Sequence, residues 1–154
     1  MTRVELKQKH LEEENQKIES LKGKVLSEED KNWFRRTKAW VEFRKTFENV
    51  GTKKFKNGKE KPIKATDFLT GNPLKKGFNL HHMRLDSRLY TDLDSEYFIP
   101  LNMQSHDVIH WIHTQRCKDP DFMKRLVELS DRMYEINEGK DVKDFKQPQT
   151  LQIL

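Results

Sequence analysis

The chain of 154 residues has one cysteine, Cys117, and no apolar run approaching the ~18–20 residues of a membrane span. A lone cysteine excludes an intramolecular disulfide framework and any cysteine-based zinc finger, and it fits a reducing compartment. The opening segment MTRVELKQKHLEEE lacks the apolar core of a secretory signal, so the expected location is the cytoplasm, with no membrane partner. Hydrophobic residues are also scarce, at 34% against 36% charged, where a globular domain usually has roughly 45–50% apolar residues. That balance argues against a large buried core and predicts solvated helix or tail. At about 150 residues per domain, one compact domain with a short appendage is expected. Internal repeats and low-complexity tracts are absent.

What the chain does have is unevenly placed charge. Its net charge is +5. Residues 31–64 carry twelve Lys/Arg against three Asp/Glu, whereas residues 1–30 carry six against eight. The remaining segments, 65–116 and 117–154, are each one unit negative. A segregated basic block is the footprint of a phosphate-backbone partner, because each lysine or arginine that pairs a phosphate releases a condensed counterion. The bland alternative is a solvated, solubilising face.

Three regions emerge: a helical N-terminal region (1–50), a basic hairpin with a compact α+β core (51–116), and a C-terminal helix with a tail (117–154). Residues 3–25 read as a polar helix with Val4, Leu11, Ile18 and Val25 at seven-residue intervals. This helix either docks on its own domain or forms a homodimeric zipper. Ser27, followed by Glu28, Glu29 and Asp30, caps a second helix expected to run to about Asn49. Its apolar stripe would be Trp33, Trp40, Val41 and Phe47. Arg35 and Arg36 are among its cations, and Gly51 would stop it.

Asn57-Gly58 then marks a hairpin turn between arms carrying Lys53, Lys54, Lys56, Lys59, Lys61 and Lys64. Such a ribbon can lie along a nucleic-acid groove or be a mobile loop. Turns are expected at TGNP (70–73) and KKG (75–77). FNLHHMRL (78–85) and YFIPLN (97–102) read as strands, and SHDVIHWIHTQRC (from Ser105) as a helix. In that helix Val108, Ile109, Trp111 and Ile112 are available to pack on the hairpin. Asp119-Pro120 ends it and caps a last helix, 121–138, with the stripe Phe122, Leu126, Leu129, Met133 and Ile136. Gly139 would close that helix, and the remaining residues form a tail that docks late or stays disordered.

Five of the six histidines fall between positions 81 and 113. His106 and His110, four apart on a helix, emerge on one face about one turn apart, which lets a helix offer two imidazoles to one ion. His113 shares the face but lies ~10 Å along the axis from His106, too far for one ion to bind both. The helical pair is therefore either His106/His110 or His110/His113. His81 and His82, adjacent on a strand, leave in different directions and should have different tasks. One can complete a three-nitrogen site with positions open to water or phosphate, and the other can act as general base.

Strand-HH, turn-rich loop, strand, then helix H-x3-H resembles the HNH endonucleases, the ββα-metal or His-Me finger family that includes the nuclease domains of colicin-type toxins. The likeness covers roughly residues 62–114. LTGNPLKKGFNLHH with FIPLN and SHDVIHW is especially similar to small phage-type members, whose compartment would be the host cytoplasm. The resemblance implies a ββα-metal hairpin-helix core flanked by N- and C-terminal helices. It implies His81, His106 and His110 as ligands to one divalent ion (Mg²⁺, Mn²⁺, Ni²⁺ or Zn²⁺), His82 as general base and His113 as a phosphate contact. It further implies DNA as substrate, with 5′-phosphate and 3′-hydroxyl products, and the basic block as the backbone grip. The family's middle asparagine, which helps orient the base, falls on Tyr97. Asn79 and Asn102 are nearby asparagines that could stand in for it. Many relatives carry two Cys-x-x-Cys pairs for a structural zinc. Those slots are Asp67/Thr70 and Asn102/Ser105 here, so flanking helices are expected to supply the missing stability.

Overall fold

The computed structural model describes residues 1–138. Five α-helices and two small antiparallel sheets make it an α+β fold. The first helix, α1 (Arg3–Leu21), begins with a reciprocal cap. The Glu5 amide donates to Thr2 Oγ1 (3.2 Å), and the Thr2 amide donates to Glu5 Oε2 (2.6 Å). The helix stops at Leu21, not at 25, with Gly23 at φ +72° just beyond it. Of the expected seven-residue lane, Val4 is 76% exposed and Val25, outside the helix, 77%, while Ile18 packs against the chain's own aromatic core.

The single helix expected from Ser27 to about Asn49 is in fact two, α2 (Glu28–Phe34) and α3 (Lys38–Lys45). Ser27 caps the first as anticipated, accepting from the Asp30 amide at 3.1 Å. The break is made by Thr37, whose hydroxyl donates to the Phe34 carbonyl (2.7 Å) and accepts from the Trp40 amide (3.2 Å). One buried side chain thus ends α2 and caps α3, a role threonine fills better than a helix interior. The break also changes the stripe. Phe34, which the single-helix reading omits, is fully buried, and Val41 is exposed. Gly51 is likewise not the helix stop. α3 ends at Lys45, and Gly51 sits in the next strand at φ +145°, where the pairing register slips.

That strand, β1 (Asn49–Lys54), pairs antiparallel with β2 (Glu60–Lys64). Gly58, at φ +75°, closes the turn between them. The hairpin β3 (Asn79–His82) and β4 (Phe98–Leu101) forms the second sheet, with His81 opposite Ile99 and His82 opposite Phe98. Between these strands lie two short 3₁₀ turns, Ser87–Leu89 and Ser95–Tyr97. The main core consists of Phe34, Trp40, Leu80 and Phe98, ringed by Ile18, Trp33, Phe43, Phe47, Tyr90 and Leu93. It joins α2, α3 and one face of the β3–β4 hairpin. A smaller cluster of Ala65, Leu74 and Phe78 lies under the turns before β3, against Phe47.

The described residues divide into two compact units, Met1–Asp107 and a second that begins at Val108, and the division falls within the uninterrupted helix α4 (Met103–Lys118). In the second unit Trp111 meets Phe122 edge-on, with ring centroids 5.5 Å apart. Asp119 accepts from the Asp121 amide at 2.9 Å and pairs with Arg125, setting the start of α5 (Phe122–Asn137). Of the expected α5 stripe, Phe122 and Leu126 are partly buried, but Leu129, Met133 and Ile136 are exposed. Val108 and Trp111 of α4 are also exposed, Trp111 despite its contact with Phe122. Among the described residues no helix is long and apolar enough to cross a membrane. The expected Gly139 stop and the tail lie outside the described residues.

Candidate metal centre

Strand alternation separates the two adjacent histidines. Leu80 and His82 share one face of β3 and enter the aromatic core, whereas His81 points the other way. His81 is buried, at 9% exposure, and its ring meets that of His106 at 5.3 Å and 76°. His110 follows one turn later on α4. One nitrogen from each of His81, His106 and His110 can be chosen so that all lie within 4.8 Å of one another. Ligands on a tetrahedral ion with bonds of ~2.0–2.1 Å stand about 3.4 Å apart, so small ring rotations would bring the three into coordination distance. Three neutral-nitrogen donors suit a borderline divalent ion and leave at least one position for water or an anion. The Asp107 carboxylate, 3.7 Å from His106 Nδ1, adds negative potential beside the cluster.

His82 occupies a different environment. Its ring stacks on Tyr90 (4.4 Å, 17°) and lies parallel to Trp40 (5.5 Å, 4°), with Phe98 at 4.6 Å. Its Nε2 is 3.3 Å from the Tyr90 carbonyl oxygen. Because a carbonyl can only accept, Nε2 carries the hydrogen, and Nδ1 keeps the lone pair. Burial, with smaller contributions from Arg35, His106 and Lys31, lowers the His82 pKa to about 4. The imidazole is therefore neutral at physiological pH. It can accept a proton at Nδ1, but as a weaker base than a free histidine.

The group that meets the His82 ring nitrogen is thus the backbone of Tyr90. Tyr97 lies elsewhere in the loop. Its ring stacks under the Arg84 guanidinium (3.9 Å), and its carbonyl accepts from the Met83 amide (2.8 Å). Asn102 is committed to other partners, accepting from the Lys75 amide (2.8 Å) and donating to the Pro73 carbonyl (3.2 Å). His113 lies 3.5 Å from Cys117 Sγ on α4. Arg35 donates to the Tyr90 hydroxyl (3.0 Å) and to Asn32, and Arg36 donates to the Asn32 carbonyl (3.3 Å). Lys53, Lys54, Lys56, Lys59, Lys61 and Lys64 are all exposed on the β1–β2 ribbon.

One organising group, Asp67, is marked in the sequence only by its place at a Cys-x-x-Cys slot. The fully buried Asp67 carboxylate accepts from the amides of Leu69 (2.8 Å) and Thr70 (2.9 Å) through Oδ1, and from the Asn102 amide (2.7 Å) through Oδ2. The Ser105 hydroxyl is a further donor. Burial alone would raise this acid's pKa, but the donors outweigh it and hold the value below 3.8. At the two expected Cys-x-x-Cys slots, Thr70, Asn102 and Ser105 therefore all donate to Asp67. A carboxylate knot ties the turn before β3 to the first turn of α4, where His106 stands. The spacing Asp67-x-x-Thr70 and Asn102-x-x-Ser105 was readable; their convergence was not.

Comparison with known proteins finds no matching family model, no matching curated protein and no matching solved structure. The functional reading therefore rests on these residues and their geometry.

Proposed function

We propose that the protein is a metal-dependent endonuclease that hydrolyses DNA phosphodiester bonds, built on an HNH-type ββα-metal arrangement. The observation that carries this reading is the convergence of His81, from a β-hairpin, with His106 and His110, from the helix that follows it. Those three residues would hold one divalent ion. Such an ion, when bound, supplies Lewis acidity toward a phosphate oxygen and charge neutralisation at the departing oxygen. In this reading His82, whose Nε2 meets the Tyr90 carbonyl, would take the proton of the attacking water at Nδ1. Stacking on Trp40 and Tyr90 holds its ring in one orientation, which limits the reorganisation needed when a proton moves. The basic ribbon supplies affinity for the phosphate backbone without selecting a sequence.

Plasmid cleavage in Mg²⁺, Mn²⁺, Ni²⁺ or Zn²⁺ tests the reading. Native protein is expected to nick or cut, and His106→Ala to lose both metal binding and cleavage. His82→Ala should keep the metal and lose roughly 10²–10⁴-fold in rate, the range for a general base. Equal rates for native protein and His82→Ala would remove His82 from the chemistry.

A second reading is favoured by the depth at which His82 sits among aromatics. In that case the ring is a packing residue, the metal staples the hairpin to α4, and the protein binds DNA without cutting it. Metal binding without cleavage in all four ions would select this alternative.

A further inference from the structure

The β1–β2 ribbon has two chemically different faces, and the register determines which residues share them. Residues 49–64 contain six lysines and one glutamate, net +5, which equals the charge of the whole chain; the other residues balance at 24 Lys/Arg and 24 Asp/Glu. Every residue of both strands is exposed. Lys53 stands directly opposite Lys61, and Gly51 opposite Ile63. Alternation adds Phe55 to that face, and the Phe55 amide donates across the turn to the Lys59 carbonyl (2.9 Å). Lys61 Nζ lies over the Phe55 ring at 5.3 Å, as expected for neighbours on one side. The other face carries Lys54 opposite Glu60, 3.6 Å apart, and Thr52 opposite Pro62.

Directly opposed lysines destabilise a hairpin, and an isolated two-stranded hairpin is marginal in water. On the Lys53/Lys61 face no carboxylate among the described residues neutralises the pair. An aromatic ring, 42% exposed, and Ile63, 43% exposed, stand beside it with no core to enter. That combination of uncompensated cations around a half-bare aromatic complements a polyanion with apolar bases inside it. A two-stranded ribbon fits the major groove of B-form DNA, which is ~12 Å wide, while the major groove of double-stranded RNA is too narrow for side-chain readout.

We propose that the face formed by Lys53, Phe55, Lys61 and Ile63 docks on double-stranded DNA, the lysines on flanking phosphates and the Phe55 ring against base edges in the major groove. The inference rests on the nuclease reading only for the choice of DNA as partner.

The test is DNA binding in EDTA, where cleavage plays no part, so its failure and that of the nuclease reading are distinguishable. Anisotropy of a labelled duplex is measured across a salt series. Two double variants remove equal charge from opposite faces: Lys53→Gln/Lys61→Gln and Lys54→Gln/Lys64→Gln. The first should lower the log–log salt slope by about 1.8, at ~0.9 per phosphate contact, and the second by less than half as much. Phe55→Ala should weaken binding about tenfold with an unchanged slope, and Phe55→Leu should keep most of the affinity, as apolar contact with base edges in the major groove predicts. Duplex DNA should bind more tightly than single-stranded DNA or double-stranded RNA. Equal slope losses for the two double variants, native affinity in Phe55→Ala, or equal binding of single strands would each overturn the proposal.

Discussion

The described residues build two antiparallel hairpins, and they use opposite physics. The β3–β4 hairpin has burial on both faces: Leu80, His82 and Phe98 enter an aromatic core, and His81 meets His106 on the other side. The β1–β2 ribbon has burial on neither face. Both have adequate turns and ladder hydrogen bonds, so backbone pairing does not explain the difference. Apolar area does. Removing it from water gains roughly 25 cal/mol per Å², and among the described residues only the β3–β4 hairpin enters a core. The hairpin carrying His81 and His82 is thereby held in place by its packing, while the hairpin carrying the lysines is left exposed. In the proposed function, chemistry on a buried element and grip on an exposed one would let each be tuned without disturbing the other.

The largest expected effect sharpens that contrast. Phe34→Ala, at a fully buried position beneath the hairpin, should cost about 3–5 kcal/mol in chemical denaturation. Val50→Ala on the ribbon, at 71% exposure, should stay within about 0.5 kcal/mol. Comparable losses at the two sites would erase the distinction.

An intermediate effect is expected at Asp67, which joins the hairpin region to α4. Asp67→Asn removes acceptor capacity from several buried donors, and a cost of about 1–3 kcal/mol follows. It should also weaken metal binding by displacing the turn that carries His106. Its pH dependence has a definite sign. The carboxyl pKa lies below its ordinary 3.8 in the folded protein. The unfolded chain therefore binds the proton first on acidification. Stability from this group is complete above about pH 4, and it is lost as pH falls through the lowered folded value. Acid titration of Asp67→Asn should show a shallower loss of stability than the native protein in that window.

The smallest effect on the fold and the most selective one on function is expected at His106, which is only partly buried. Cobalt titration followed by absorption should show at least about a hundredfold weaker binding in His106→Ala, with unfolding in EDTA shifted by no more than about 1 kcal/mol. If removal of this imidazole left metal affinity intact, the three-histidine assignment would fall.

Much of this is legible in the sequence alone. The Asn57-Gly58 turn, the Ser27 cap and the two short strands were readable because each depends on residues within a few positions of one another. The same holds for the His106/His110 spacing, which follows from helix pitch, and for the opposite directions of His81 and His82, which follow from strand pleat. The split of the second helix at Thr37 was not legible. A threonine inside a helical pattern becomes a cap only when its surroundings bury it, and that burial comes from Phe34 and Trp40 packing against distant residues. The exposure of Val41, Leu129 and Met133 was hidden for the same reason, since periodicity marks an apolar face without saying what covers it.

Sequence by itself determined the local geometry, the concentration of cations in one hairpin and the supply of imidazoles, because chain connectivity and charge are short-range or additive properties. Only the tertiary structure decided which imidazoles meet and that His82 is clasped between Trp40 and Tyr90. It alone decided that Asp67 gathers donors from two turns more than thirty residues apart. Those outcomes depend on burial and on contacts between remote segments, where the energy of each group is set by neighbours that the linear order does not name.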